Sequence, residues 1–345
     1  MSKLLIPLAA LTLLFTILSC QSSSKAPRTS GAGSGLGRLE PLDPKFSELI
    51  APDAKIEKLS EGFGWAEGPV WMGNFVIFSD VIGNTIYKWQ NGRLSEYMKP
   101  SGYTGTTPRG GEPGSNGLTL DPQGRLVLCE HGDRRVARVE KDGKKTTLVD
   151  KYMGKKLNSP NDVVFKSNGD MYFTDPPYGL EKKNDDPAKE LDFNGVYRYS
   201  KDGTLTLLTK DLTFPNGLAF SPDEKTLYIA VSDPKKAVWM AYDVQPDGAI
   251  ANGRIFYDAT SYATDDHPGL PDGMKIDNKG NLFASGPGGI WIFTPQAQLL
   301  GRINPGQKTA NCAWGDDGST LYLTSHMFFC RIKTKTSGKM PGPMK

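Results

Sequence analysis

Short apolar runs alternate with turn residues along nearly the whole chain, and they recur in one repeated phrase. A polar residue leads, an apolar run follows, a tight turn breaks it, and a second apolar run returns. The copies read Asn116-Gly-Leu-Thr-Leu-Asp-Pro-Gln-Gly-Arg-Leu, Asn161-Asp-Val-Val-Phe-Lys-Ser-Asn-Gly-Asp-Met-Tyr, Asn216-Gly-Leu-Ala-Phe-Ser-Pro-Asp-Glu-Lys-Thr-Leu-Tyr, Asp272-Gly-Met-Lys-Ile-Asp-Asn-Lys-Gly-Asn-Leu and Asn311-Cys-Ala-Trp-Gly-Asp-Asp-Gly-Ser-Thr-Leu-Tyr. A degenerate copy begins at Glu67-Gly-Pro-Val-Trp. The leads are separated by 49, 45, 55, 56 and 39 residues, the spacing of a β-propeller blade.

The second runs, such as Leu227-Tyr-Ile-Ala-Val and Leu321-Tyr-Leu-Thr, are rich in β-branched and aromatic residues, which is strand chemistry. Asn, Gly and Pro in the intervening turns supply the backbone angles that tight hairpins need. No long stretch outside the extreme N-terminus keeps a helical apolar period. The pattern predicts an all-β, six-bladed β-propeller of up to four strands per blade. The last blade, from Asn311 to about Lys333, has room for three strands, and the strand-like piece Ala54-Lys-Ile-Glu-Lys-Leu lies unassigned before the first. We expect that N-terminal piece to join the last blade as its outer strand and close the ring.

Composition bounds the rest. The net charge of +3 over 345 residues gives no nucleic-acid signature. The first 20 residues are expected to be a targeting segment: a basic start, an apolar run from Leu4 to Leu18, and Ile17-Leu18-Ser19-Cys20, which has the form of a lipoprotein signal with Cys20 as the lipid-bearing residue. That predicts export to a bacterial envelope, periplasm or cell surface, with membrane attachment only through Cys20. Residues 21–45 read as a flexible linker, 46–335 as the propeller and 336–345 as a loose tail. Cys312 and Cys330 fall in one blade and allow a disulfide; buried free thiols are the alternative.

In an antiparallel hairpin the start of the first strand and the end of the second share an edge. The six lead residues therefore line one rim, together with Glu130-His131, Thr174-Asp175, Ser232-Asp233 and Ser325-His326. Glu67, Asn161, Asn216 and Asp272 offer four hard oxygens, two of them charged, at equivalent repeat positions. That mix suits one divalent cation, Ca2+ first and Zn2+, Mg2+ or Mn2+ as alternatives. The other reading of each, a strand-start cap, suits one residue better than four. Asn116 stands at the same rim, as a substrate contact or a turn residue. His131 and His326 have two readings each: substrate binding or proton transfer, and hydrogen bonding of rim loops. Arg134 and Arg135 are candidates for holding a polar substrate, and His267 for a lid.

The phrases Ala66-Glu-Gly-Pro-Val-Trp, Ser159-Pro-Asn-Asp, Phe214-Pro-Asn-Gly-Leu-Ala-Phe-Ser-Pro-Asp and Leu270-Pro-Asp-Gly-Met-Lys-Ile-Asp resemble those of the senescence marker protein / gluconolactonase / luciferin-regenerating enzyme family. Cys129-Glu-His-Gly-Asp-Arg-Arg-Val and Tyr172-Phe-Thr-Asp-Pro-Pro-Tyr-Gly are similar to the bacterial gluconolactonases within it. The resemblance covers about residues 46–333. It implies a central divalent ion held by Glu67, Asn216 and Asp272, with Asn161 close to metal or substrate. It implies hydrolysis of a sugar lactone with Asp272 as acid/base, and we place Tyr178 among the substrate contacts. The chain departs at Ser159, where members close to the animal proteins carry Arg, and that opens the identity of the lactone. Two other functions share the same site: a phosphotriesterase-like hydrolase and a non-catalytic binding propeller. No Gly-x-Ser-x-Gly elbow is present to support a serine esterase.

Overall fold

The computed structural model describes residues 28–29 and 35–343. Its strands form six antiparallel sheets of four or five strands in chain order, with one separate two-stranded hairpin at Lys151–Lys156. The innermost strands are Ala66–Trp71, Ser115–Leu120, Val163–Phe165, Pro215–Phe220, Met274–Ile276 and Asn311–Gly315. We number the blades one to six from these. The sixth is completed from the other end of the chain: Glu57–Glu61 pairs antiparallel with Phe328–Lys333, with Phe328 opposite Glu61. The predicted closure by an N-terminal strand is therefore present.

The core explains why closure is stable. Buried apolar side chains fall into six clusters, and each spans the interface between two neighbouring blades. Because the strands are buried on both faces, each blade supplies one face to the neighbour on either side. The cluster between blades six and one holds Phe63, Phe78, Trp89, Tyr322 and Phe329, with Phe78 stacked on Phe329 at 4.2 Å between ring centroids. The last interface is thus as apolar as the others, and the ring has no exposed inter-blade face.

Two expected boundaries need correction. Arg38–Pro41, placed in the linker, is a fifth strand on blade five, paired with Gly301–Asn304. Only Leu39 of those four is a large aliphatic residue, and Glu40 binds Arg302 at 2.7 Å and Asn304 at 2.9 Å, so a polar edge strand had the composition of a linker. Arg28–Thr29 likewise pairs with Ser60 and Glu61. The tail is not loose either. Thr336 is buried and donates to Asp277, and Gly338 bridges to the same residue. Gly338 passes so close to the Trp314 indole that an added Cβ would lie 2.0 Å from its nitrogen. A Gly- and Pro-rich segment was needed for that approach, and its composition imitated disorder. Residues 339–342 continue against the lower mouth of the central channel, where they help line a cavity of about 380 Å3. The expected signal segment, including Cys20, lies outside the described residues. Cys129, Cys312 and Cys330 are free and buried.

Candidate functional site

The lead residues reach the axis because the strand ladder is interrupted beside them. Pairing slips between Glu67 and Val70, between Ser115 and Leu118, and between Pro215 and Leu218. In blades three and five the innermost strand starts two residues after Asn161 and Asp272. A bulge or a late start releases the lead side chain from strand alternation and lets it turn inward. The glycine after the lead permits the crowding. Gly68 has φ +51°, and a Cβ there would lie 2.2 Å from the Asn116 carbonyl. At Gly273 an added Cβ would fall within the Asn311 amide, 1.9 Å away. Each lead therefore packs against the next around the ring.

The four residues read as cation ligands stand at the inner strands of blades one, three, four and five. Glu67 is 1 % exposed, Asn161 3 % and Asn216 4 %. Asp272 is only partly buried. Burial is the main cause pushing both carboxyls up; the Asp162 carboxylate adds to it at Glu67, and the Glu67 and Asp162 carboxylates add to it at Asp272, so that Glu67 is pushed up to about 8 and Asp272 well above its ordinary range. Two carboxylates close together in a place poor in water are an unfavourable pair without a compensating positive charge. The amide oxygens of Asn116, Asn161 and Asn216 are buried and accept no hydrogen bond. Such orphans are rare and each calls for a partner. Among the described residues no group of three or more His, Cys, Asp or Glu side chains is gathered as in a zinc site; the donors here are mostly amide and carboxylate oxygens.

Neighbours fix the donors. Asn216 donates through Nδ2 to Ser232 Oγ at 2.9 Å, and Ser232 in turn donates to the Pro271 carbonyl. Asn311 is spent inside the protein: it donates to Glu67 Oε2 at 3.1 Å, and its oxygen accepts from Lys275 at 3.3 Å and from Cys312 N–H. Tyr178 stacks on Phe214 and its hydroxyl reaches the Ser232 carbonyl at 3.4 Å. Burial and the nearby Asp272 carboxylate push that hydroxyl up, so it remains a neutral donor beside the carboxylate. His131 is fully buried, with Nδ1 2.9 Å from Glu112 and Nε2 3.5 Å from Asn161 Nδ2.

His326 is not drawn into this network. Its ring packs tilted against Trp65, with centroids 5.4 Å apart, and burial and Lys308 lower its pKa. Ser159 turns away from the funnel, donating to the Pro176 carbonyl and accepting from Gly179 N–H, so it holds the loop that carries Tyr178. Arg134 is spent on the carbonyls of Leu157, Asn158 and Ala188, and Arg135 on Glu130. His267 packs against Tyr262.

Two site residues escaped the sequence reading. Glu112 lies in the non-repeated connection between blades one and two. Asp162 follows a lead where four other copies have Gly; it is buried, and Lys275 offsets the cost of its burial. That break in the repeat was the available signal for Asp162. Nothing in the repeat pointed to Glu112.

Residues 65–327 match the family described as SMP-30/Gluconolactonase/LRE-like region. The chain belongs to this family. It is 39 % identical over 346 residues to the gluconolactonase of Zymomonas mobilis subsp. mobilis, covering 98 % of this chain and 96 % of that one. A solved structure from Xanthomonas campestris, described as a gluconolactonase important in glucose secondary metabolic pathways, superposes with a TM-score of 0.75 at 30 % identity, covering 88 % of this chain and 98 % of that one. The diisopropyl-fluorophosphatase of Loligo vulgaris is 25 % identical over 299 residues, covering 81 % of this chain and 91 % of that one.

Proposed function

We propose that the protein is a gluconolactonase-like lactonase that opens a cyclic ester with the help of one divalent cation, most simply Ca2+, in the funnel. The near full-length similarity to a gluconolactonase supports the reaction class. The observation that carries the cation is the set of buried, unpartnered oxygens of Asn161 and Asn216 beside two mutually repelling carboxylates. Glu67, Asn161, Asn216 and Asp272 would hold it, with water or substrate completing about six to eight oxygen ligands. Bound there, such an ion polarises the lactone carbonyl and stabilises charge developing on its oxygen.

The chain's own residues supply the rest. Asp272, the ligand that is only partly buried, orients the attacking water and takes its proton. Tyr178 and Asn116 present a hydroxyl and an amide to the hydroxyl groups of the substrate. His131 shapes the wall beside Asn161. Asn311 and Asp162 lie deeper: Asn311 steadies Glu67, and the Asp162 charge sits opposite Lys275. The export signal read over 1–20 would hold this site in the envelope by a lipid on Cys20; loss of metabolic palmitate labelling in Cys20→Ser tests that attachment.

A lactone panel assayed with EDTA and then with calcium, zinc, magnesium or manganese added back tests the reading. Hydrolysis lost in EDTA and restored by one ion supports it. Turnover unchanged by chelator and by Asp272→Asn would refute the site assignment. A phosphotriester run in parallel separates the reading suggested by the Loligo relative: faster cleavage of the phosphotriester than of every lactone would favour it.

A further inference from the structure

We propose that Glu112 and His131 are positioning residues that turn the amide of Asn161 so that its oxygen faces the axis. The inference rests on the reading of Asn161 as a cation ligand. It adds to that reading what makes Asn161 a ligand and which part of the chain controls it.

Glu112 presents a carboxylate oxygen 2.9 Å from His131 Nδ1. A carboxylate accepts only, so Nδ1 carries the hydrogen and donates, which leaves Nε2 as the acceptor. Nε2 faces the NH2 end of Asn161 at 3.5 Å. The contact is long, and its importance is directional: the NH2 end is turned toward the imidazole and the oxygen end away from it. That oxygen is buried and has no partner in the protein. With the opposite tautomer an N–H would confront the NH2. The amide would then gain by rotating half a turn, which would put NH2 where a hard cation needs oxygen.

The device is repeated with other residues. Ser232 takes the NH2 end of Asn216 at 2.9 Å and leaves its oxygen without a partner. Ser232 comes from within a blade. Glu112 comes from the connection between blades one and two, and Arg109 of the same connection donates to the Gly132 carbonyl at 2.7 Å and to that of Gly179. A loop outside the repeat is thereby strapped across blades two and three and sets one ligand of the site.

Calcium titration of the cation-free full chain by calorimetry tests the proposal. Partners that orient a ligand typically change metal affinity by about 10–100-fold when removed. Glu112→Ala and His131→Phe should weaken calcium binding by that amount. Glu112→Gln and His131→Gln keep an acceptor in place and should recover most of the affinity. Glu112→Gln as weak as Glu112→Ala would overturn the proposal, because charge and not orientation would then be at work. Wild-type affinity in Glu112→Ala, with Asn161→Ala weakened, would overturn it and leave the ligand set standing. Wild-type affinity in Asn161→Ala would instead remove the ligand reading itself. Because His131 is fully buried, thermal unfolding without cation accompanies each variant; if His131→Phe does not fold, Glu112→Ala, on a partly exposed residue, decides.

Discussion

The two ends of the central channel are built from the same six strands and differ completely in chemistry. At the upper end a lead residue bearing a side-chain oxygen stands within two residues of the start of each strand, and the crowd includes three unpartnered amide oxygens and two carboxyls held above their ordinary range. A few residues further down, the lining is Val70, Leu120, Phe165, Phe220, Ile276 and Trp314, with the C-terminal tail against it. The lower end satisfies itself by apolar packing. The upper end is left short of positive charge and of hydrogen bonds. Under the proposed function, the polar groups concentrated at the cost of stability are the working end of the channel.

The largest expected effect breaks the upper end. Asp272→Asn should lower kcat/KM by about 10^2- to 10^4-fold, the range of a lost general base, while thermal unfolding without cation shows no loss of stability, because a repelled carboxylate has been removed. The ring closure comes next. Phe329→Ala removes a fully buried ring stacked between blades six and one and should cost about 3–5 kcal/mol in chemical denaturation.

Truncation after Gly338 sharpens the comparison from below. Loss of the segment against the cavity should lower stability by about 1–2 kcal/mol, the scale of one buried side chain, and leave kcat/KM unchanged. A fall in activity at saturating calcium would mean that the two ends are coupled.

The smallest effect is in pH. Glu67 is pushed up to about 8 by burial and by neighbouring acids, and a bound cation must displace its proton. Calcium affinity should therefore rise with pH and level off above about 8. The cation-free protein should behave in the opposite sense: a raised folded pKa contributes stability below the ordinary value of 4.5 and loses it as pH climbs through the folded value. Calcium-induced stabilisation should grow over the same window, and Glu67→Gln should flatten both trends, as followed by thermal unfolding with and without calcium.

The repeat made the upper end legible. Residues that recur at equivalent positions in stacked units must share a rim, so Glu67, Asn161, Asn216 and Asp272 could be placed together from spacing alone. Their supports could not. Glu112 sits in a connection with no counterpart in other blades, and its role depends on a contact with His131 across the fold. Asn311 looks like the other leads but spends its amide on Glu67. His326 occupies an equivalent strand end yet packs against Trp65. The two chain ends were misread for a different reason. Arg38–Pro41 hides a strand behind ion pairs, and the tail's Gly and Pro serve close packing against Trp314. Local composition records flexibility and tight approach with the same residues.

A crystal of the full chain soaked in calcium, or in a lanthanide with strong anomalous scattering, tests the central claim most directly. The account predicts a single anomalous peak on the axis within about 2.3–2.6 Å of oxygens from Glu67, Asn161, Asn216 and Asp272. A peak held by other residues, or a funnel empty of metal at concentrations that support lactone hydrolysis, would contradict it.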